Sequence, residues 1–170
     1  PDAPVKVVVF SAPRGYHCAR VVPGVHQAVT SGPLQGKVEL SYRLFPLRSN
    51  EHYKEAGLAF LAAQRLGAFW DFALHSYANF EAFSLDTQLV WAAQLDLERT
   101  ELERLMGEPD LLDQLKASKR QGVENGVKST PTFFIDGHLY RGELEVDEIV
   151  DTLEEAWERS QGLVHVGDAQ

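Results

Sequence analysis

Residues 50–126 of this chain contain nothing that reads as a β-strand, yet strand signals flank them on both sides. That arrangement constrains the fold more than any other feature. Upstream, Val5 to Phe10 is an apolar run broken only by Lys6, which fits a strand buried on both faces. A helix begins near Cys18 and carries Val21, Val22, Val25 and Ala28, with Pro23 inside it and Gly32-Pro33 after it. Val38 to Phe45 then alternates, as a strand covered on one side does, and meets Pro46. Strand, helix and strand this close together form a βαβ unit, whose crossover is expected to be right-handed. Downstream, Thr132–Ile135 and His138–Tyr140 read as a hairpin about Asp136-Gly137. A last helix follows, with Val146, Ile149, Val150, Leu153, Ala156 and Trp157 at helical spacing. Glu143, Glu145 and Asp147 at its start suit the helix dipole.

The middle reads as helices. Glu55 to Leu66 is apolar on most of its surface and is broken by Gly67. Phe69, Trp70, Phe72 and Ala73 open a second helix, and their aromatic cluster is expected to be core. Ser84–Leu95 and Asp96–Met106 follow, and a further helix with Leu111, Leu112, Leu115 and Val123 stops at Gly126. The chain is therefore expected to be α/β with a helical insertion. Residues 1–4 are a linker or tail, 5–49 the βαβ part, 50–126 the insertion, 127–161 the hairpin and final helix, and 162–170 a flexible tail.

Composition narrows the function. Net charge is −9 and the Lys and Arg residues are scattered along the sequence, so no basic stripe suits nucleic acid or an anionic membrane. No apolar run approaches the ~18 residues that span a bilayer. The given sequence shows no signal peptide, and Pro1-Asp2-Ala3-Pro4 reads as the end of a linker. Cys18, the one cysteine, excludes an internal disulfide. It lies near the first turn of the helix that follows the first strand. His17 beside it is too little for a metal site, which wants about four ligands. Glu51, His52 and His75 are expected on helix surfaces or at caps.

Several segments together carry a resemblance: Phe10-Ser11 ahead of Gly15-Tyr16-His17-Cys18, Tyr42-Arg43-Leu44-Phe45-Pro46-Leu47, His52 with Ala62-Ala63, Gly67-Ala68-Phe69-Trp70-Asp71-Phe72, and Gly126-Val127-Lys128-Ser129-Thr130-Pro131-Thr132-Phe133-Phe134-Ile135-Asp136-Gly137. In this order they resemble the DsbA-like branch of the thioredoxin fold, a family of thiol–disulfide oxidoreductases. The match spans about residues 5–160, and its last block is the most specific.

The resemblance places the family's two-cysteine motif on residues 15–18. Gly15 then replaces the nucleophilic first cysteine, Tyr16 replaces a common proline, His17 keeps a residue that tunes the thiolate in some members, and Cys18 keeps the resolving cysteine. Pro131 matches the cis-proline beside the site and Thr130 the residue before it. Exchange runs through a mixed disulfide that a second thiol releases, so this chain is expected to lack ordinary dithiol activity. At most, Cys18 acts as a monothiol, with His17 beside it and with Tyr16, Thr130 and Pro131 contacting substrate. Two alternatives stand beside that reading. One is a redox-inactive module that binds an extended peptide or a thiol-containing protein at the cis-Pro131 edge. The other is a glutathione-linked isomerase or transferase of the kappa type, in which Ser11 or Tyr16 serves where Gly15 has no side chain. No cofactor or metal is expected, glutathione being the one small molecule these readings admit. The resemblance implies a bacterial cell-envelope protein, with a cytoplasmic one as the alternative.

Overall fold

The structure, a computed structural model, describes residues 2–163. The expected tail at 162–170 therefore lies, from residue 164 on, outside the described residues. The elements are β1 (Val5–Ser11), α1 (Tyr16–Thr30), β2 (Val38–Leu44), α2 (Tyr53–Arg65), α3 (Phe69–Ala78), α4 (Leu85–Gln94), α5 (Arg99–Met106), α6 (Pro109–Glu124), β3 (Thr132–Ile135), β4 (His138–Leu139) and α7 (Val146–Ser160), with a short 3-10 helix at Phe80–Ala82. They fall into two compact units.

The first unit holds the residues up to Val9, Val21–Tyr42 and the chain from Thr132. Its sheet runs β2-β1-β3-β4. Val5, Val7 and Val9 of β1 are fully buried, together with Val22, Val25, Ile149 and Leu153 from α1 and α7. The opposite side of β1 is less covered than its apolar run suggests. Lys6 is exposed and pairs with Glu39 at 3.3 Å, and Val8 is half-buried. Asp136 and Gly137 both take positive φ (48° and 84°), the backbone a two-residue hairpin needs. They set the register Phe134–Leu139 and Ile135–His138. Helix α1 runs on through Pro23. At the next residue a Cβ on Gly24 would lie 2.7 Å from Val146 Cγ2, so only glycine allows α7 this close.

The second unit comprises Phe10–Arg20 and Arg43–Pro131. Its centre is α2, in which every residue from Ala56 to Ala63 is buried, as a helix apolar all round should be. Phe60 lies edge-on to Phe69, Phe72 and Tyr77 at 5.9, 5.8 and 5.9 Å; of the expected aromatic cluster Phe72 is buried core, while Phe69 and Trp70 are half-buried at its margin. Helix α4 begins with a reciprocal cap: Thr87 N–H donates to Ser84 Oγ at 3.0 Å, and Ser84 N–H to Thr87 Oγ1 at 2.7 Å. His52 precedes α2 at φ 57° and meets Glu51 at 3.2 Å, while His75 packs against Trp91. Among the described residues no group of three or more His, Cys, Asp or Glu is placed to hold a metal ion. Nor is any described helix long and apolar enough to cross a membrane.

Candidate functional site

The candidate site lies wholly in the second unit, where the end of β1 turns into α1. Gly15 N–H donates to Ala12 O, and Gly15 O accepts from Ala19 N–H, both at 3.0 Å. Gly15 is thus the residue that opens α1, at the helix end where free N–H groups favour a thiolate. It has no side chain to use that field. A Cβ built there would stand 3.0 Å from Cys18 Sγ and 3.2 Å from Ala12 O.

Cys18 is the third residue of α1 and is 0% exposed. Ala12 N–H donates to its sulfur at 3.4 Å. Burial pushes the thiol pKa up, and hydrogen bonding from Ser11, Ala12 and Thr130 offsets only part of that rise. The sulfur is a sheltered thiol rather than a poised thiolate. This has a consequence for stability. The unfolded chain loses the Cys18 proton near the ordinary thiol pKa of about 8.5, before the folded chain does. The group's contribution is therefore fully present below that pH and is lost as pH rises through the raised folded value. Urea unfolding from about pH 7 to 10 is expected to show a steeper fall in stability for wild type than for Cys18→Ala.

The sequence-predicted residues separate into two groups. Thr130 reaches the Cys18 sulfur, the Thr130–Pro131 bond is cis, and Pro131 is buried. Tyr16 and His17 are exposed, unlike the sulfur. Tyr16 is the first residue of α1, 54% exposed, and His17 is exposed and stacks edge-on to Tyr16 at 5.5 Å. His17 is not among the groups that bear on the thiol.

Sequence reasoning missed what holds this loop. The Arg14 guanidinium lies over the Phe80 and Phe83 rings, 4.6 and 4.2 Å from their centroids, and donates to Phe80 O at 3.1 Å. Burial lowers its pKa, against Glu51 and Glu81. Tyr16 packs edge-on to the same Phe80 at 6.0 Å, and Arg20 sits over the Tyr16 ring at 5.8 Å. Beneath, Tyr77 donates to Ala12 O at 3.2 Å and shares a 2.8 Å hydrogen bond with Ser11 Oγ. Ser11 is fully buried, so it presents no hydroxyl to an outside ligand. No local signal could have found these partners, since Arg14 and Phe80 lie 66 positions apart.

Comparison with known proteins bears on the fold. The thioredoxin family model matches residues 1–155. Among solved structures, alpha-DsbA1 of Wolbachia pipientis superposes with a TM-score of 0.80 at 16% identity, covering 95% of this chain and 90% of its own. A thioredoxin-like oxidoreductase of Silicibacter pomeroyi gives 0.76 at 24% identity, over 92% and 88%. Oxidised BdbD of Bacillus subtilis gives 0.77 at 18%, over 92% and 89%. A curated protein named Na(+)/H(+) antiporter NhaA, of Herminiimonas arsenicoxydans, is 25% identical over 116 residues, 68% of this chain. The chain spans about a fifth of that relative's length, 19%. The chain belongs to the thioredoxin family, and its fold is the DsbA-like form with a helical insertion.

Proposed function

We propose that this domain is a redox-inactive, DsbA-like module that binds extended polypeptide beside the cis-Pro131 edge. The observation that carries the reading is the contrast at the start of α1. The one thiol is fully buried with a raised pKa, while the tyrosine two residues before it is more than half exposed. Attack on a disulfide needs an accessible thiolate, and this arrangement offers neither the access nor the charge. Binding needs an aromatic surface and free backbone; the exposed Tyr16 ring offers the first, and the cis Thr130–Pro131 bond is the proposed place of the second. The monothiol reading asks the buried Cys18 to reach an outside partner, and of the two groups the glutathione reading offers, Ser11 is buried and only Tyr16 is exposed. The partial likeness to a much longer antiporter supports a binding module that works as one part of a larger chain. A bacterial cell-envelope location belongs to the same proposal and is checked by fractionation.

The test is fluorescence anisotropy with a labelled, fully carboxymethylated polypeptide, which has no thiol or disulfide to exchange. Wild type and Cys18→Ala are expected to bind equally, and Tyr16→Ala about tenfold more weakly. Loss of binding in Cys18→Ala, or binding only to probes that carry a disulfide, would overturn the reading.

A further inference from the structure

A cavity of about 320 Å³ in the second unit is lined by residues from the segment after β2, the first turn of α2, and one side of α6. Its charged lining is entirely positive: Arg48, Lys54, Lys116 and Lys119. Its floor is apolar, made by Leu112, Leu115 and the Tyr53 ring beside Pro46. In a chain of net charge −9, four of the 16 cations converge on one recess that no carboxylate lines. Among the described residues none of the four forms an ion pair. Like charges gathered in this way repel one another, and a recess with low-dielectric walls concentrates their field on whatever enters.

Lys119 shows that the cluster is built rather than merely solvated. Its Nζ donates to Pro46 O and lies over the Phe45 ring, 4.1 Å from the centroid. That ring is fixed in turn. It meets Phe10 edge-on at 6.4 Å, and it occupies space that any side chain at position 122 would need, since a Cβ on Gly122 would fall 2.3 Å from Phe45 Cδ1. Burial, with Arg48 nearby, holds the Lys119 pKa below its usual value, as expected for an ammonium short of a counter-ion.

We propose that this cavity binds a small organic anion: a phosphate monoester or carboxylate carrying an aliphatic or aromatic body. The four cations take the anionic head and the leucine and tyrosine floor takes the body. The volume lies in the range of small-molecule sites. No residue is shared with the Cys18 and Pro131 site, so this proposal does not depend on the peptide-binding reading.

The experiment is an NMR titration of the full chain, labelled with nitrogen-15, using phenyl phosphate up to about 10 mM, a range that reports weak binding. Inorganic phosphate, benzyl alcohol and benzyltrimethylammonium are run as separate arms. Phenyl phosphate is expected to give saturable shifts confined to residues 46–54 and 112–119, with inorganic phosphate weaker and the other two inert. The exposed pair Lys54→Gln with Lys116→Gln, which leaves the Phe45 packing intact, is expected to weaken binding about tenfold or more. The variant Lys119→Met reports the half-buried cation separately and is expected to weaken binding similarly. Shifts that do not saturate, that spread equally over Arg65, Arg99 and Arg104, or that persist unchanged in the double variant would overturn the site. Equal binding of inorganic phosphate would overturn the role of the apolar floor.

Discussion

Gly15→Cys is expected to give this protein a disulfide and, with it, a dithiol redox activity. The backbone at Gly15 is not left-handed, so a side chain there adds no φ strain, and the residue already opens α1 as a nucleophilic cysteine would. The distance is the stronger argument. A Cβ at position 15 stands 3.0 Å from Cys18 Sγ. With S–S near 2.04 Å and ordinary bond angles, a disulfide places each Cβ about 3.0 Å from the other sulfur. The new side chain also meets Ala12 O at 3.2 Å, which asks the loop to shift by a few tenths of an ångström. With oxidised glutathione as oxidant, the two thiols lose two protons and two electrons and form the bond, and the glutathione disulfide is cleaved to two thiols. Mass spectrometry is expected to show the loss of two hydrogens. The reduced variant is expected to react with an aromatic disulfide reagent on the order of 100-fold faster than wild type. Two free thiols that stay as slow as wild type would show that residue 15 does not stand where the family keeps its attacking sulfur.

The second large effect is on stability. Phe60→Ala is expected to cost about 3–5 kcal/mol, read as a lower urea midpoint at an unchanged slope. Phe60 is fully buried in α2, and three other aromatic rings lean on its faces and edges. Its removal leaves a void that the flanking Ala59, Ala62 and Ala63 cannot fill, because alanines have no longer rotamer to offer. Tyr77, one of those rings, also holds Ala12 and Ser11 of the loop ahead of Cys18. The same substitution is therefore expected to raise Cys18 reactivity. A cost below about 1 kcal/mol would mean that the insertion is not organised around α2.

What the sequence made legible follows the range of the forces involved. The hairpin was readable because Asp136-Gly137 sets its own backbone locally. The strand-free insertion was readable because helical periodicity needs only neighbours. The expectation of a start at Asp96 for α5 failed locally: Asp96 takes φ 60° and the helix begins at Arg99. The coverage of β1 was overstated, because an apolar run does not say how much of its second face the fold will cover. The site was half legible. Gly15, Cys18, Thr130 and Pro131 followed from the resemblance, and the cis bond stands at Thr130–Pro131. The grip of Arg14 on Phe80 and Phe83, and of Tyr77 on Ala12, joins residues more than 60 positions apart, and no pattern along the chain encodes it. The positive cavity was hidden for the same reason. Arg48, Lys54, Lys116 and Lys119 look scattered in the sequence and converge only in the fold.

On the proposed reading Cys18 is a structural thiol and this thioredoxin-family domain works by binding. The rate of Cys18 with an aromatic disulfide reagent, taken in native buffer and again in concentrated guanidinium, tests it most directly. A native rate about 1,000-fold or more below the unfolded one, rising only as added denaturant opens the fold, is the predicted result. Prompt, stoichiometric reaction of the native protein near neutral pH would contradict it.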